Sequence, residues 1–209
     1  IGFLNLLVPE MLGGVGCAYR TYAAILHEVS VWSPSVGVTI AVHSLVGGIV
    51  NRFVREPLRS TWLSAWGEPS SFAAFAVSEA GAGSDAAGVK TAAEEVEGGF
   101  RVNGEKMWVT NGISAGWLFT VVRLKGLPEP ENYCALMIDA RQPGTARTKI
   151  QGKMGIRGSE TAVIHFTDVF VPADHLVGQR GKGLEVCLAS LNQGRIGIAA
   201  QSTGIGEAC

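Results

Sequence analysis

The sequence predicts an α+β fold: a helical N-terminal region, a central β-barrel or sandwich domain, and the start of a C-terminal helical bundle. Three observations carry this. Apolar residues recur at i, i+3, i+4 and i+7 on both sides of the centre, as Tyr22, Ile25, Leu26 and Val29 and again as Leu184, Cys187, Leu188 and Leu191. That spacing puts each set on one helix face. Between them, short apolar runs are punctuated by Gly98-Gly99, Asn103-Gly104 and Asn111-Gly112, dipeptides that turn hairpins. The 209 residues are 47% hydrophobic and only 17% charged, against roughly 25% charged for an ordinary soluble chain. Much of the surface is therefore expected to pack against further domains or subunits. The expected divisions are residues 1–70, 71–180 and 181–209.

In the first division, Pro9-Glu10 and Gly13-Gly14 mark a loop, and a helix is expected over residues 19–31. Ser33-Pro34-Ser35 breaks it, with Pro34 suited to the first turn of the next helix. The apolar stretch 36–50 is too short to span a membrane, which takes about 20 residues, and it carries His43 and Ser44. A buried helix is the better reading, and no transmembrane segment is expected. Pro57 should interrupt or restart the helix.

In the second division, strands are expected over 72–77, 100–103, 106–110, 117–124, 133–139 and 162–167. The first is a continuous apolar run ending at Ser78-Glu79, followed by the small loop Gly81-Ala82-Gly83-Ser84-Asp85. Glycine lets backbone N–H groups approach an anion, because no Cβ blocks the way. Gly81-x-Gly83-x-x-Ala86 matches the dinucleotide fingerprint in form, but hairpin signals follow it where that fingerprint needs a helix, so a Rossmann unit is rejected. Trp108 and Thr110 lie two apart and share a strand face. One aromatic and one hydroxyl on one face suit a planar heteroaromatic ring, but the residues alone favour a core Trp beside a Thr. Arg157 is read as a structural residue, locking the sheet through a salt bridge. In the third division, Asn192-Gln193-Gly194 is read as a break and Arg195 as the opening of a second apolar helix, where the macrodipole disfavours a cation.

Composition removes several functions. A net charge of -1 leaves no electrostatic footprint for nucleic acid or an anionic membrane. Cys17, Cys134, Cys187 and Cys209 form no CxxC pair, so neither a zinc site nor a disulfide framework is expected. His27, His43, His165 and His175 lack metal-ligand spacing and are read as packing or surface residues. The opening residues have no basic n-region and do not read as a signal peptide. Both ends read as cut.

Four ordered blocks carry a resemblance: Ala76-Val77-Ser78-Glu79-Ala80-Gly81-Ala82-Gly83-Ser84-Asp85, Asn103-Gly104-x-Lys106-x-Trp108-Val109-Thr110-Asn111-Gly112, Lys153-Met154-Gly155-Ile156-Arg157-Gly158-Ser159, and Gly194-Arg195-Ile196-Gly197-Ile198-Ala199. Together they resemble the acyl-CoA dehydrogenases. The resemblance implies FAD as cofactor, with Val77, Ser78, Gly83, Ser84, Trp108, Val109 and Thr110 against it. It implies an acyl-CoA thioester as substrate, met by Ser84, Asn192 and Arg195. An electron-transfer flavoprotein would accept the electrons, and the protein would be a homotetramer in a bacterial cytoplasm or a mitochondrial matrix. Family members usually carry Thr at Ser78 and Pro at Ala80, and a charged Gly-x-Glu-x-Gln-like stretch where this chain has Arg55-Glu56-Pro57-Leu58-Arg59.

Removing a proton α to a thioester needs a general base. Family members use a glutamate either at the position of Gly194 or in a C-terminal helical domain beyond residue 209. No catalytic residue is therefore named within the chain, and Glu207 matches neither position. Two alternatives stand beside the dehydrogenase: a flavin oxidase or monooxygenase of the same superfamily, and a truncated, non-catalytic fragment that binds acyl-CoA or FAD.

Overall fold

The computed structural model describes residues 2–209 and has the α+β architecture. Helices α1 (Tyr19–Trp32) and α2 (Pro34–Phe53) form the N-terminal region with a short α3 (Leu58–Ser64). The Ser33 side chain caps α2, whose first residue is Pro34. Pro57 sits at the N-terminal boundary of α3, as its missing N–H favours. A single long helix, α4 (Gly183–Ala208), closes the described chain.

Between the helices lie β1 (Ala73–Ala76), β2 (Ala92–Val96), β3 (Gly99–Thr110), β4 (Trp117–Leu124), β5 (Tyr133–Asp139), β6 (Thr145–Lys149), β7 (Thr161–Pro172) and β8 (Leu176–Val177). They form one eight-stranded sheet in the order β6-β7-β3-β2-β4-β5-β8, with β1 also on β4. β1 and β2 share one edge of β4 in sequence. β1 pairs in parallel as far as Ala76 opposite Thr120, and β2 resumes with Ala92 opposite Arg123. Residues 77–91, the glycine loop included, leave the sheet at that break.

Both faces of β4 are buried, and its alternation separates two cores. Leu118, Val122 and Leu124 join Phe100, Val109, Ile138 and Ile164 inside the curled sheet. Phe119 and Val121 face the helices with Val46, Ile49, Trp62 and Trp66. A third cluster, built on Tyr22, Leu26, Ile40, Ala41 and Ala200, joins α1, α2 and α4. The helix α2 has 20 residues, longer than the 15 expected, and by length and composition alone it would suffice to cross a membrane. Ten of its residues, from Gly37 to Val50, are buried in the fold.

The structure corrects four expectations. Neither Asn103-Gly104 nor Asn111-Gly112 turns a hairpin. Asn111-Gly112 leads from β3 to β4, which β2 separates in the sheet. Residues 100–103 and 106–110 belong to one strand, β3, which pairs along its length with β7 and shifts register at Gly104. There Gly104 has φ 146° and a Cβ would meet Thr91, so the glycine serves a bulge rather than a turn. Strands β2, β6 and β8 were not anticipated, since Ala92–Val96 and Thr145–Lys149 are short and carry polar residues on their exposed sides. Asn192-Gln193-Gly194 does not break α4, so Arg195 stands in mid-helix and the macrodipole argument lapses. Arg157 makes no salt bridge among the described residues; its Nε donates to the Lys153 carbonyl at 3.0 Å within an exposed loop.

Candidate active site

A cavity of about 550 Å³ opens where the end of β1, the end of β3 and the two long helices converge. The β side contributes Phe75, Ser78, Trp108 and Thr110, α2 contributes Ala41, Val42 and Leu45, and α4 contributes Leu191, Gly194, Arg195 and Ile198. That size lies in the range of small-molecule sites, and so does the lining, mostly apolar with a few polar groups. No carboxylate lines it.

Trp108 is the most unusual of these residues. It is 60% exposed and adopts φ 61°, a left-handed conformation that a bulky side chain rarely takes. The cause is a second register shift in β3, between Lys106 and Val109. Before it, Phe100, Val102 and Lys106 are buried; after it, Val109 and Asn111 are. One extra residue reverses the alternation and aims Trp108 out of the sheet. Trp108 and Thr110 thereafter line the same cavity.

The wall formed by α2 is pinned to the sheet by two buried groups. His43 Nδ1 accepts a hydrogen bond from Ala73 N at 3.1 Å, with the ring stacked on Trp66 and Phe72. Burial pushes this imidazole down to about 4, outweighing its hydrogen bonding. Asn111, at φ 66°, donates through Nδ2 to Thr39 O at 3.1 Å and Ala73 O at 3.2 Å.

Other expected site residues lie elsewhere. Gly83 and Ser84 sit exposed on the loop after β1 and do not line the cavity. Their backbone N–H groups donate to no protein acceptor among the described residues. A Cβ added at Gly81 or Gly83 would meet nothing within 4 Å. The loop thus presents an open, amide-bearing surface of the kind that accepts phosphate. The Val77 and Val109 side chains are buried in the two opposite cores, leaving only their backbone near the site. Asn192 lines a neighbouring cavity of about 770 Å³ with Gly48, Asn51 and Gln193. Its Oδ1 accepts from Arg195 at 2.6 Å, so the two are coupled although they face different cavities.

Sequence reasoning singled out neither Glu79 nor Lys106. Lys106 is fully buried, and its Nζ lies 2.7 Å from Glu79 Oε1. Burial lowers the ammonium's pKa, against the stabilising hydrogen bond and charge of Glu79. For Glu79, burial raises the carboxyl, but the bonds from Lys106 and Thr91 outweigh it and hold the group below its ordinary value. A lysine on an otherwise alternating strand gives no sequence signal that it points inward.

Comparison with known proteins fits this architecture. Residues 1–67 match the model of the acyl-CoA dehydrogenase N-terminal domain, and residues 74–169 match that of the middle domain. The chain belongs to the acyl-CoA dehydrogenase family. It is 34% identical over 208 residues to the mitochondrial short-chain specific acyl-CoA dehydrogenase of Homo sapiens, covering 99% of this chain and 50% of that one. Butyryl-CoA dehydrogenase from Megasphaera elsdenii superposes with a TM-score of 0.93 at 30% identity, covering 99% of this chain and 55% of the other. An acyl-CoA dehydrogenase from Bacillus anthracis, solved in complex with FAD, superposes at 0.88 with 30% identity, over 97% of this chain and 35% of the other. The chain spans about half the length of the curated relatives it matches.

Proposed function

We propose that this chain carries the flavin- and thioester-facing part of an FAD-dependent acyl-CoA dehydrogenase, which converts an acyl-CoA to the trans-2-enoyl-CoA and passes electrons to an electron-transfer flavoprotein. The observation that supports it most is the cavity in which an outward-turned Trp108 meets Thr110, Ser78 and Arg195. A flat aromatic flanked by two hydroxyls fits a planar ring with polar edges. Trp108 would cover the ring, the hydroxyls of Ser78 and Thr110 would fix its tilt, and the free amides of Gly83 and Ser84 would take phosphate oxygens. Arg195 and Asn192 would meet the polar end of the substrate, with Ser84 at the loop tip. FAD, when bound, supplies the acceptor for the β-hydride.

The α-proton needs a base. No carboxylate lines the cavity, and Gly194 puts no side chain there. We therefore place the base outside the described residues. The helices α2 and α4 would exclude water from the acyl chain through Ala41, Leu45 and Ile198.

The test is anaerobic titration with butyryl-CoA of the protein loaded with FAD. The expected result is bleaching of the visible flavin band. A protein that takes up no FAD refutes the reading. FAD uptake and acyl-CoA binding without bleaching would mark a non-catalytic fragment. Rapid reoxidation of the reduced flavin by oxygen with acyl-CoA bound would mark an oxidase or monooxygenase.

A further inference from the structure

The edge of β4 has a gap. β1 leaves it after Thr120 and β2 resumes at Arg123, so the carbonyl of Val121 has no strand partner there. A buried carbonyl without a donor is costly, and such groups are almost always paired. The partner here is a side chain. Lys106 Nζ donates to Val121 O at 2.8 Å, to Val77 O at 3.2 Å and to Glu79 Oε1 at 2.7 Å. One ammonium thus bridges the sheet edge, the end of β1 and the first residues of the glycine loop. Glu79 extends the strap across the loop. It accepts from Lys90 N at 2.6 Å, Thr91 N at 3.0 Å and Thr91 Oγ1 at 2.6 Å.

The same ammonium sits at the base of the β3 bulge. Met107, between Lys106 and Trp108, donates its N–H to Ser78 O at 2.8 Å. The residue on one side of that bond is therefore locked through its side chain, and the residue on the other is the strained, outward Trp108. A left-handed Trp persists only where its surroundings over-determine it. The Lys106 anchor and the Met107–Ser78 bond supply that determination, and they tie Trp108 to Ser78, its neighbour on the β side of the cavity.

We infer that Lys106 and Glu79 are positioning residues that set the separation of Ser78 and Trp108. This inference rests on the flavin reading of the cavity. Neither side chain lines the cavity; the pair acts through the bulge and the loop. Charge matters to it, because a buried ammonium without its carboxylate is an uncompensated charge, costlier than the pair itself.

The experiment compares Lys106→Met, Glu79→Gln and a control, Arg147→Met, in the full-length protein. Arg147 resembles Lys106 in role but not in place: its guanidinium donates to the carbonyls of Ile113, Ala115 and Ala140 and lines no part of the cavity. Each protein is titrated with FAD below its own melting temperature, reading flavin fluorescence and the position of the visible band. Lys106→Met is expected to weaken FAD binding about tenfold or more and to shift the band, whereas Arg147→Met lowers the melting temperature and leaves both unchanged. Glu79→Gln keeps the volume and an acceptor oxygen. It remains the informative variant if Lys106→Met does not fold, and is expected to weaken FAD in the same direction. Folded Lys106→Met or Glu79→Gln binding FAD like the parent, with the parent's spectrum, overturns the positioning role alone. A parent that binds no FAD overturns the flavin reading, and this inference with it.

Discussion

Acid should loosen the joint between α2 and the sheet through His43. Its imidazole is buried, accepts a bond from Ala73 N at 3.1 Å, and is held neutral down to about pH 4. In the unfolded chain the same group titrates near 6.5. Between those values the unfolded state binds more protons than the folded one, so stability rises with pH across this window. The contribution is complete above about 6.5 and is lost as pH falls toward 4. Between pH 7.5 and 4.5 it amounts to about 2–3 kcal/mol. His175 is also lowered by burial and acts in the same direction, so the parent's slope alone does not isolate His43. The difference between the parent and His43→Phe does. The phenyl ring keeps the stack on Trp66 and Phe72 but leaves Ala73 N unpaired, a cost of about 1–3 kcal/mol at neutral pH. Urea unfolding at half-unit steps from pH 4.5 to 7.5 should show the two stability curves converging, or crossing, as the pH falls. Curves that stay parallel across that range would refute the assignment of a depressed, buried His43.

Three further outcomes follow from single residues. Asn111→Ala strips Thr39 O and Ala73 O of their donor and puts a Cβ residue less suited to φ 66° at a buried corner; a loss of about 2–4 kcal/mol in denaturant unfolding is expected. Trp108→Gly relieves the left-handed strain at φ 61°, so the melting temperature should hold or rise, while FAD affinity falls with loss of the aromatic wall. Gly204→Ala drives a Cβ into the His27 carbonyl where α4 crosses α1; calorimetry should register a loss of about 1–3 kcal/mol.

Much of this fold was legible because its signals are local. Periodicity set the face of α1. In α4 it found Cys187 but not the whole face, since Leu188 is exposed and Val186 and Ser190 are buried instead. Both Pro34 and Pro57 mark helix starts by the chemistry of a missing N–H. What misled was a local signal overridden by pairing. Asn103-Gly104 has the composition of a hairpin turn, but β7 runs alongside β3 through that point and holds the strand straight, absorbing Gly104 as a bulge. Asn192-Gln193-Gly194 has the composition of a helix break, but Gly194 packs against Leu45 of α2, and the helix runs on because tertiary contact outweighs about 1 kcal/mol of glycine propensity.

The site divides along the same line. Trp108 and Thr110 were grouped by a two-residue spacing on a regular strand, yet the strand is irregular at that point. They line one cavity because Trp108 is itself the left-handed residue of the bulge, which resets the alternation before Thr110; an extra residue between the two would have put them on opposite faces. The bulge itself has no sequence signature, since a tryptophan occupies the left-handed position where glycine would have announced it. Its determinant lies on a strand that does not pair with β3, in a β4 edge left open between two neighbours and closed by a lysine side chain. Pattern reading assigns such a lysine to solvent by default. Only the count of backbone partners along β4 shows that an inward ammonium is required there.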